Sequence, residues 1–212
     1  YDKRDGKVKL YRDRVGIKPL YYYYDGIHFG FSSELKGIVK MCNDITLEID
    51  NTAVYDYFNY LCIPAPKTYY KNVYKLMPGH KLIFDINSRK IVQNDSYWKL
   101  HINTRKGKQR KQSDLIEELR ELIHQAVQEQ MVADVPVGTY LSGGVDSSII
   151  TYEGHKINPQ IETFTMGFAD RAYDERRYAE YFANKYHIHM KEDVFARDNL
   201  EEYVDKMREW YD

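Results

Sequence analysis

The first hundred residues alternate short apolar runs with turn residues, a pattern typical of strands joined by tight turns. Within residues 1–31, the runs VKLYRD and PLYYYYDGIHFGFSS are rich in Val, Leu, Tyr and Phe and predict β-structure. Asp25-Gly26 predicts a hairpin turn, because glycine tolerates positive φ. A second hairpin is predicted around Asn87-Ser88, between the runs KLIFDI and KIV.

Two short helices are predicted among these strands. Glu34–Lys40 is the first, and Asn51–Leu61 is the second, with apolar residues at helical spacing. We expect Pro64 and Pro66 to end the second helix, since proline lacks the amide that a helix needs.

From residue 113 onward the periodicity changes to that of helices alternating with strands. The first helix is predicted to be capped by Ser113 and to bury one apolar stripe that runs from Leu115 to Met131. A last helix is predicted from about Asn199, with Leu200, Tyr203, Val204, Met207 and Trp210 facing inward. The strands are predicted at 135–141, 161–168 and 187–195, and the intervening helices at 147–155 and 174–186.

This order, α-β-α-β-α-β-α, favours a parallel sheet covered by helices. The stretch HINTRKGKQRKQ between the two patterns is polar and basic and is the best linker candidate. We therefore predict one domain at 1–100, a linker at 101–112 and a second domain at 113–212. The fold class is mixed, α+β in the first part and α/β in the second.

Composition narrows the function without defining it. The formal net charge is −1, with 43% hydrophobic and 30% charged residues, so a nucleic-acid partner is not expected. Five Lys and Arg residues in the linker are explained as a solvated segment. No apolar run approaches the roughly 20 residues that span a bilayer, and no signal peptide is visible. Cys42 and Cys62 are read as reduced thiols of a cytoplasmic protein.

The stretch SGGVDS is the strongest candidate for chemistry, because it lies between a predicted strand and a predicted helix. Two glycines, Gly143 and Gly144, let the backbone turn sharply and approach a ligand closely. The loop amides and the first turn of the helix then form a nest for a pyrophosphate, to which Ser142 and Ser147 add hydroxyl donors. Asp146 fits an anion site only if a cation such as Mg²⁺ bridges it to the phosphates.

The alternative reading is an ordinary strand-to-helix turn in which Ser and Asp act as caps. Any three-residue piece of the motif would favour that reading, whereas the complete S-G-G-V-D-S in this position favours phosphate binding. The loop is not a Walker A motif, because no Lys follows the glycines.

At this point the sequence resembles a known family. SGGVDSS is similar to the PP-loop of the ATP pyrophosphatases, and DVPVGTYLSGGVDSSII, FTMGF and YDERRYAEYFANKY resemble the glutamine-hydrolysing asparagine synthetases. Upstream, RDRVGIKPLYYY, SSELKGI, LMPGH and YW resemble the second half of that family's glutaminase domain. The similarity runs in order along essentially the whole chain.

The resemblance implies a fold and a reaction. It implies part of an N-terminal-nucleophile-type αββα glutaminase domain, followed by part of a Rossmann-like parallel-sheet PP-loop domain. In the family, ATP and Mg²⁺ activate aspartate as β-aspartyl-AMP, and ammonia from glutamine then gives asparagine, AMP and pyrophosphate. It implies that Asp146 lies on the metal and that the backbone at two strand ends frames adenine. The implied ATP-binding residues are Leu141, Ser142, Gly143, Gly144, Asp146, Ser147 and Met166.

The sequence departs from the family's pattern in its first half. The family nucleophile is a cysteine at the mature N-terminus, whereas residue 1 here is Tyr, so no catalytic residue for glutamine hydrolysis is expected in this stretch. Arg12, Asp13 and Lys18 are read as scaffold, and Asp174 and Glu175 as an acidic helix start. The chain is expected to be a fragment lacking both ends, with low activity alone.

Three functions remain open from the sequence. The first is asparagine synthesis, with small-molecule substrates. The second is a related amidotransferase that amidates another carboxylate, such as a sugar or peptide precursor. The third is a non-catalytic module that has kept the fold. Whether the protein is a homodimer is left open.

Overall fold

A computed structural model describes residues 1–42, 44–102, 110–195 and 200–211, with only the backbone of 200–202 and 208–209. The chain divides into two compact units, Tyr1–Asn103 with Arg208–Asp212, and Thr104–Met207. Each is described by itself. No helix in the described ranges combines the length and apolar character that crossing a bilayer requires.

The first unit contains two antiparallel three-stranded sheets, ordered β1-β5-β6 and β3-β2-β4. The strands are β1 (Lys7–Tyr11), β2 (Tyr21–Tyr24), β3 (Phe29–Ser32), β4 (Val73–Lys75), β5 (His80–Asp85) and β6 (Lys90–Ser96). Both predicted hairpins are confirmed, since β2 pairs with β3 and β5 pairs with β6. Gly26 has φ 95°, and the Asp25 carboxylate accepts hydrogen bonds from the amides of Ile27 and His28.

Two helices accompany these sheets, α1 (Leu35–Met41) and α2 (Asn51–Tyr60), as predicted. The prediction that proline ends α2 is wrong: the helix stops at Tyr60, and Leu61 caps it in the left-handed conformation with φ 54°. Of the apolar stripe on α2 only Ala53 is fully buried, while Phe58 is 77% exposed. The unit has two buried clusters, centred on Leu76 and Leu82 and on Ile38 and Val73.

The second unit alternates helices and strands. In order these are α3 (Gln112–Gln130), β7 (Gly138–Tyr140), α4 (Val145–Ile157), β8 (Glu162–Phe168), α5 (Arg176–Tyr186), β9 (Met190–Phe195) and α6 (Leu200–Trp210), of which only the part up to Met207 belongs to this unit. The strands form the predicted parallel sheet, in the order β7-β8-β9. Leu141, Ala179, Ala183 and Ile188 form the buried cluster where α5 covers this sheet. Consecutive strands therefore lie side by side, with their carboxyl ends at one edge.

Several local predictions in this unit need correction. Ser113 is not the cap of α3, because the helix begins at Gln112 and the Ser113 hydroxyl donates to the neighbouring Asp114 carboxylate. The apolar stripe of α3 buries only Val127 fully, whereas Leu115, Leu119 and Leu122 are exposed. Four apolar residues predicted to face inward on α6 are also exposed, namely Tyr203, Val204, Met207 and Trp210, while the side chain of Leu200 lies outside the described residues. Periodicity identified these helices but did not determine how completely their apolar faces are covered.

The helix after β7 begins earlier than predicted. It starts at Val145 rather than Ser147, with Gly144 as the residue that precedes it. This shift matters for the candidate site, because it places Val145, Asp146 and Ser147 in the first turn of α4, where backbone amides have no partner within the helix.

Candidate functional site

The SGGVDS motif lies where the sequence predicted it, at the carboxyl end of a parallel strand. β7 ends at Tyr140, and Leu141 continues its line by donating its amide to the Phe164 carbonyl of β8 at 2.8 Å. The Leu141 side chain is 1% exposed and packs beneath α5. Leu141 can therefore meet a ligand only through its backbone.

Gly143 is held in a conformation and a space that only glycine fits. Its φ is 81°, in the left-handed region, and a Cβ there would lie 2.5 Å from the Tyr178 Cβ and 2.7 Å from the Ala179 amide nitrogen. The first turn of α5 thus presses directly on the loop. Gly144 differs: its φ is −69°, and the nearest atom to an added Cβ would be the Ser142 Oγ at 3.4 Å.

Two serine hydroxyls fix the curvature of the loop. The Oγ atoms of Ser142 and Ser147 are 3.0 Å apart, and the Ser147 Oγ also accepts from the Ser142 amide at 3.3 Å. The Ser142 Oγ accepts from the Gly144 amide at 3.4 Å. These bonds bring both ends of the loop together, so the hydroxyls and the amides of the first α4 turn lie around one small region.

The N-terminus of α4 makes that region favourable for an anion. The first backbone bond of the helix runs from the Ser148 amide to the Gly144 carbonyl at 3.0 Å, so the three amides before it have no intrahelical acceptor. They add to the positive end of the helix dipole. Asp146 also lies in this first turn and is exposed, which makes its carboxylate available to a cation.

A buried hydroxyl chain anchors α4 to the sheet, and sequence reasoning did not find it. The Thr151 Oγ1 of α4 donates to the Thr139 Oγ1 of β7 at 3.1 Å, which lies 3.0 Å from the Thr163 Oγ1 of β8. Thr151 and Thr163 are fully buried. The only sequence signal was threonine at buried positions of predicted elements. These bonds tie α4 to β7, the strand that leads into the loop.

The neighbouring strand carries the other predicted ligand-binding residue. Met166 lies within β8, two residues before its end, with its side chain 54% exposed. β7 and β8 are adjacent and parallel, so Leu141, which directly follows β7, lies beside the strand that contains Met166.

Asp174 and Glu175, expected as an acidic helix start, precede α5. Asp174 receives two hydrogen bonds from the Arg176 guanidinium, at 2.9 Å from Nε and 2.8 Å from Nη2, and this contact lowers the pKa of Asp174 to about 2. Asp174 is thus engaged in fixing the start of α5, which agrees with a structural role.

In the first unit, Arg12 and Asp13 are scaffold residues, as expected. The Arg12 guanidinium donates to the carbonyls of Gly16, Lys18 and Leu76, the last at 2.6 Å. The Asp13 carboxylate accepts the amides of Ile17 and Lys18, both at 2.9 Å. Arg12 and Asp13 therefore shape the turn through backbone groups, including the carbonyl and the amide of Lys18.

Two family models match most of the chain. Residues 1–98 match the family model described as "Glutamine amidotransferase domain", and residues 118–212 match the one described as "Asparagine synthase". The SGGVDS loop lies within the asparagine synthase match, and the turn that Arg12 and Asp13 shape lies within the glutamine amidotransferase match.

The chain is similar to several named relatives. The chain is 39% identical over 219 residues to "Putative asparagine synthetase [glutamine-hydrolyzing] 2" of Methanocaldococcus jannaschii, a match that includes 100% of this chain and 41% of the relative. It is 35% identical over 175 residues to "Asparagine synthetase [glutamine-hydrolyzing] 1" of Bacillus subtilis, covering 82% of the chain and 27% of the relative. It is 31% identical over 161 residues to "Amidase chry2" of Gibberella zeae, covering 71% of the chain and 22% of the relative.

The chain thus spans from about a quarter to two fifths of the length of these relatives. The two family matches follow each other in the chain, and the M. jannaschii relative aligns with all of it. With both a glutamine amidotransferase segment and an asparagine synthase segment, the chain belongs to the family of the glutamine-hydrolysing asparagine synthetases.

Proposed function

We propose that the protein is an ATP-dependent amide ligase that makes asparagine from aspartate, with glutamine as the nitrogen donor. The observation that carries the proposal is the loop after β7, in which Gly143 is pressed against α5 and the hydroxyls of Ser142 and Ser147 meet beside the first turn of α4. The family match and the names of the relatives support the choice of reaction.

In this proposal the loop binds the pyrophosphate end of ATP. Ser142, Gly143, Gly144 and Ser147 supply hydroxyl and amide donors to the phosphate oxygens, which gain negative charge as pyrophosphate leaves. These donors are already oriented by the bonds between Ser142 and Ser147, so little reorganisation accompanies the reaction. The other product of this step would be β-aspartyl-AMP, which ammonia then converts to asparagine and AMP.

Mg²⁺ fits the residues that are present. Asp146 offers an exposed carboxylate oxygen beside the phosphate-binding amides, and Mg²⁺ usually binds one or two carboxylates together with substrate phosphates. When bound, the ion would neutralise charge on the phosphates. Among the described residues no group of three or more His, Cys, Asp or Glu side chains could hold a metal by itself, so the phosphates would supply part of the coordination.

The adenine and the wider fold are also part of the proposal. The backbone at Leu141 and Met166 would frame adenine at the carboxyl edge of β7 and β8. We further propose that the second unit is part of a Rossmann-like PP-loop domain, within 113–212. The first unit, within 1–100, would be part of an αββα glutaminase domain, joined by a linker at 101–112 whose central residues lie outside the described ranges. No residue of the first unit is assigned a catalytic role.

A second candidate function is amidation of a different carboxylate. It is favoured by one observation, the similarity to "Amidase chry2" of Gibberella zeae and to "Amidase chyE" of Penicillium rubens, the latter at 26% identity. The phosphate loop would serve either reaction equally well, because it contacts ATP and not the acceptor.

Pyrophosphate release from ATP tests both candidates. The protein that contains this chain is incubated with Mg²⁺, ATP and glutamine, and with aspartate or a panel of other carboxylates, including sugar acids. We expect pyrophosphate release to require aspartate. Asparagine should then appear in an amount equal to the pyrophosphate released. Release with a sugar acid and not with aspartate would reject asparagine synthesis and favour the second candidate.

The metal assignment is tested by Asp146→Asn, with Asp114→Asn as its matched control. Both are acids in the first turn of an α-helix, but only Asp146 borders the phosphate loop. We expect Asp146→Asn to reduce turnover at least tenfold at limiting Mg²⁺ and to respond to added Mg²⁺, since it removes a metal ligand. Equal turnover in both variants would exclude Asp146 from the metal site.

A further inference from the structure

A cavity in the first unit is separate from the phosphate loop and is not used by the proposed reaction. It has a volume of about 650 Å³ and lies between α2, the segment after it and the β2–β4 strand pair. Its walls are mainly aromatic and aliphatic and include Tyr57, Phe58 and Tyr69. We call it the aromatic pocket. Sites for small ligands have volumes of about 300–1,000 Å³, mostly apolar walls and a few oriented polar groups.

The charged group that lines the aromatic pocket is the ammonium of Lys75. It donates one hydrogen bond, to the Ile63 carbonyl at 2.6 Å. An ammonium has three donors, so this bond leaves two of them unaccounted for. In the described part of the chain no acidic side chain forms an ion pair with Lys75, although many other lysines of this unit have one, such as Lys67 with Asp56 and Lys71 with Glu48.

A second cation lies near Lys75. Burial is the main cause that lowers the pKa of Lys75, the Cys62 thiol acts in the opposite direction, and the Arg12 guanidinium lowers the pKa to a smaller extent. Arg12 cannot move away, because three backbone carbonyls hold its guanidinium. A half-buried cation for which the described residues provide no counter-ion is unfavourable, and a bound anion would supply the missing opposite charge.

We propose that the aromatic pocket binds a small anion with an apolar, ring-sized body, whose charged group pairs with the Lys75 ammonium. Charge complementarity selects the anion, and the aromatic walls select the apolar body. Glutamate, glutamine and aspartate do not match this description, because each carries polar groups at both ends. The ligand class is therefore an aromatic or branched aliphatic monocarboxylate, distinct from the substrates of the proposed ligase.

The pocket contains its own reporter. Cys62 lines the cavity and its side chain is exposed, whereas Cys42 is buried in the second core cluster and burial raises its pKa. An alkylating reagent should therefore modify Cys62 much faster than Cys42. A ligand in the pocket should slow the alkylation of Cys62 while the protein stays folded.

The test compares 1-naphthoate with the neutral, nearly isosteric 1-naphthamide on the full chain. Each compound is titrated against the rate at which iodoacetamide alkylates Cys62, followed by peptide mass spectrometry, with Cys42 as the internal reference. We expect naphthoate to protect Cys62 at about tenfold lower concentration than naphthamide, because a hydrogen bond to a charged group adds roughly that much affinity.

Two substitutions connect this preference to the lysine. Lys75→Met should abolish the difference between the two compounds, and Lys75→Arg should keep it. Lys71→Met, which removes an exposed lysine of the same segment, should leave it unchanged. If Lys75→Met fails to fold, the comparison of naphthoate with naphthamide on the unaltered chain still tests the proposal.

Three outcomes would overturn the proposal. The first is equal protection by naphthoate and naphthamide. The second is no protection by either compound at millimolar concentration. The third is protection that depends on protein concentration alone, which would make the pocket a surface for self-association instead. None of these outcomes bears on the phosphate loop, so the ligase proposal stands or falls separately.

Discussion

Replacing Gly143 by alanine tests whether the loop owes its shape to contact with α5. The added Cβ would lie 2.5 Å from the Tyr178 Cβ and 2.7 Å from the Ala179 nitrogen, and the residue would have to keep φ 81°. The left-handed conformation costs a non-glycine residue roughly 1–2 kcal/mol, and overpacking costs typically about 1–3 kcal/mol more. We therefore expect the free energy of unfolding of the second unit to fall by about 2–5 kcal/mol.

Gly144→Ala is the matched control, one residue along the same loop. Its φ of −69° suits alanine, and its nearest neighbour is a side-chain oxygen at 3.4 Å. The change of helix-capping residue should cost about 1 kcal/mol or less. Urea denaturation followed by far-UV circular dichroism measures both variants. Equal losses for the two alanines, or a loss at Gly143 below about 1 kcal/mol, would refute the role of α5 in shaping the loop.

Three further changes probe the same unit. Ser147→Ala should weaken pyrophosphate binding about tenfold, because hydrogen bonds to charged groups are worth about 1.5–3 kcal/mol; an unchanged dissociation constant, with Ser113→Ala as control, would contradict this. Thr151→Val should lower the free energy of unfolding by about 1 kcal/mol and Thr151→Ser by much less, since only serine keeps the hydroxyl chain; equal losses would exclude the chain. Arg176 lowers the pKa of Asp174 from 3.8 to about 2, so the stabilisation is complete above pH 4 and is lost as pH falls toward 2. The destabilisation by Asp174→Asn should therefore shrink over that range in acid titrations, and a difference independent of pH would count against the ion pair.

The order of elements in the second unit could be predicted because each strand and helix has its own periodicity. Alternating helix and strand periodicity predicts a parallel sheet. The sheet order β7-β8-β9 agrees with the tendency of consecutive strands to lie side by side. The position of SGGVDS at the carboxyl edge was predictable for the same reason. What the pattern could not show was the exact start of α4, since Val145 and Asp146 suit a loop or a helix equally well.

The parts of the site that were missed are contacts between elements distant in sequence. Gly143 was recognised as flexible, but its necessity arises from Tyr178 and Ala179, which lie 35 and 36 residues later in the sequence. The hydroxyl chain through Thr139, Thr151 and Thr163 likewise exists only once α4 and β8 pack on β7. Threonine in a strand carries no signal that distinguishes such a bond from ordinary β preference.

The apolar faces of α3 and α6 failed as predictions of burial for a related reason. Periodicity reports which face of a helix is apolar, not what covers it. Leu119 is 57% and Met207 is 53% exposed even though both lie on a clear stripe. The same reasoning explains α2, whose exposed Phe58 lines the aromatic pocket rather than a core.

The central claim is that the loop after β7 is a pyrophosphate cradle, and competition binding tests it most directly. Isothermal titration calorimetry would measure ATP binding to the chain in the presence of Mg²⁺, then repeat it with added pyrophosphate and with AMP. We predict that pyrophosphate displaces ATP, that AMP binds at least tenfold more weakly than ATP, and that Gly143→Ala abolishes the difference. AMP binding as tightly as ATP, or ATP binding unaffected by pyrophosphate, would contradict the account.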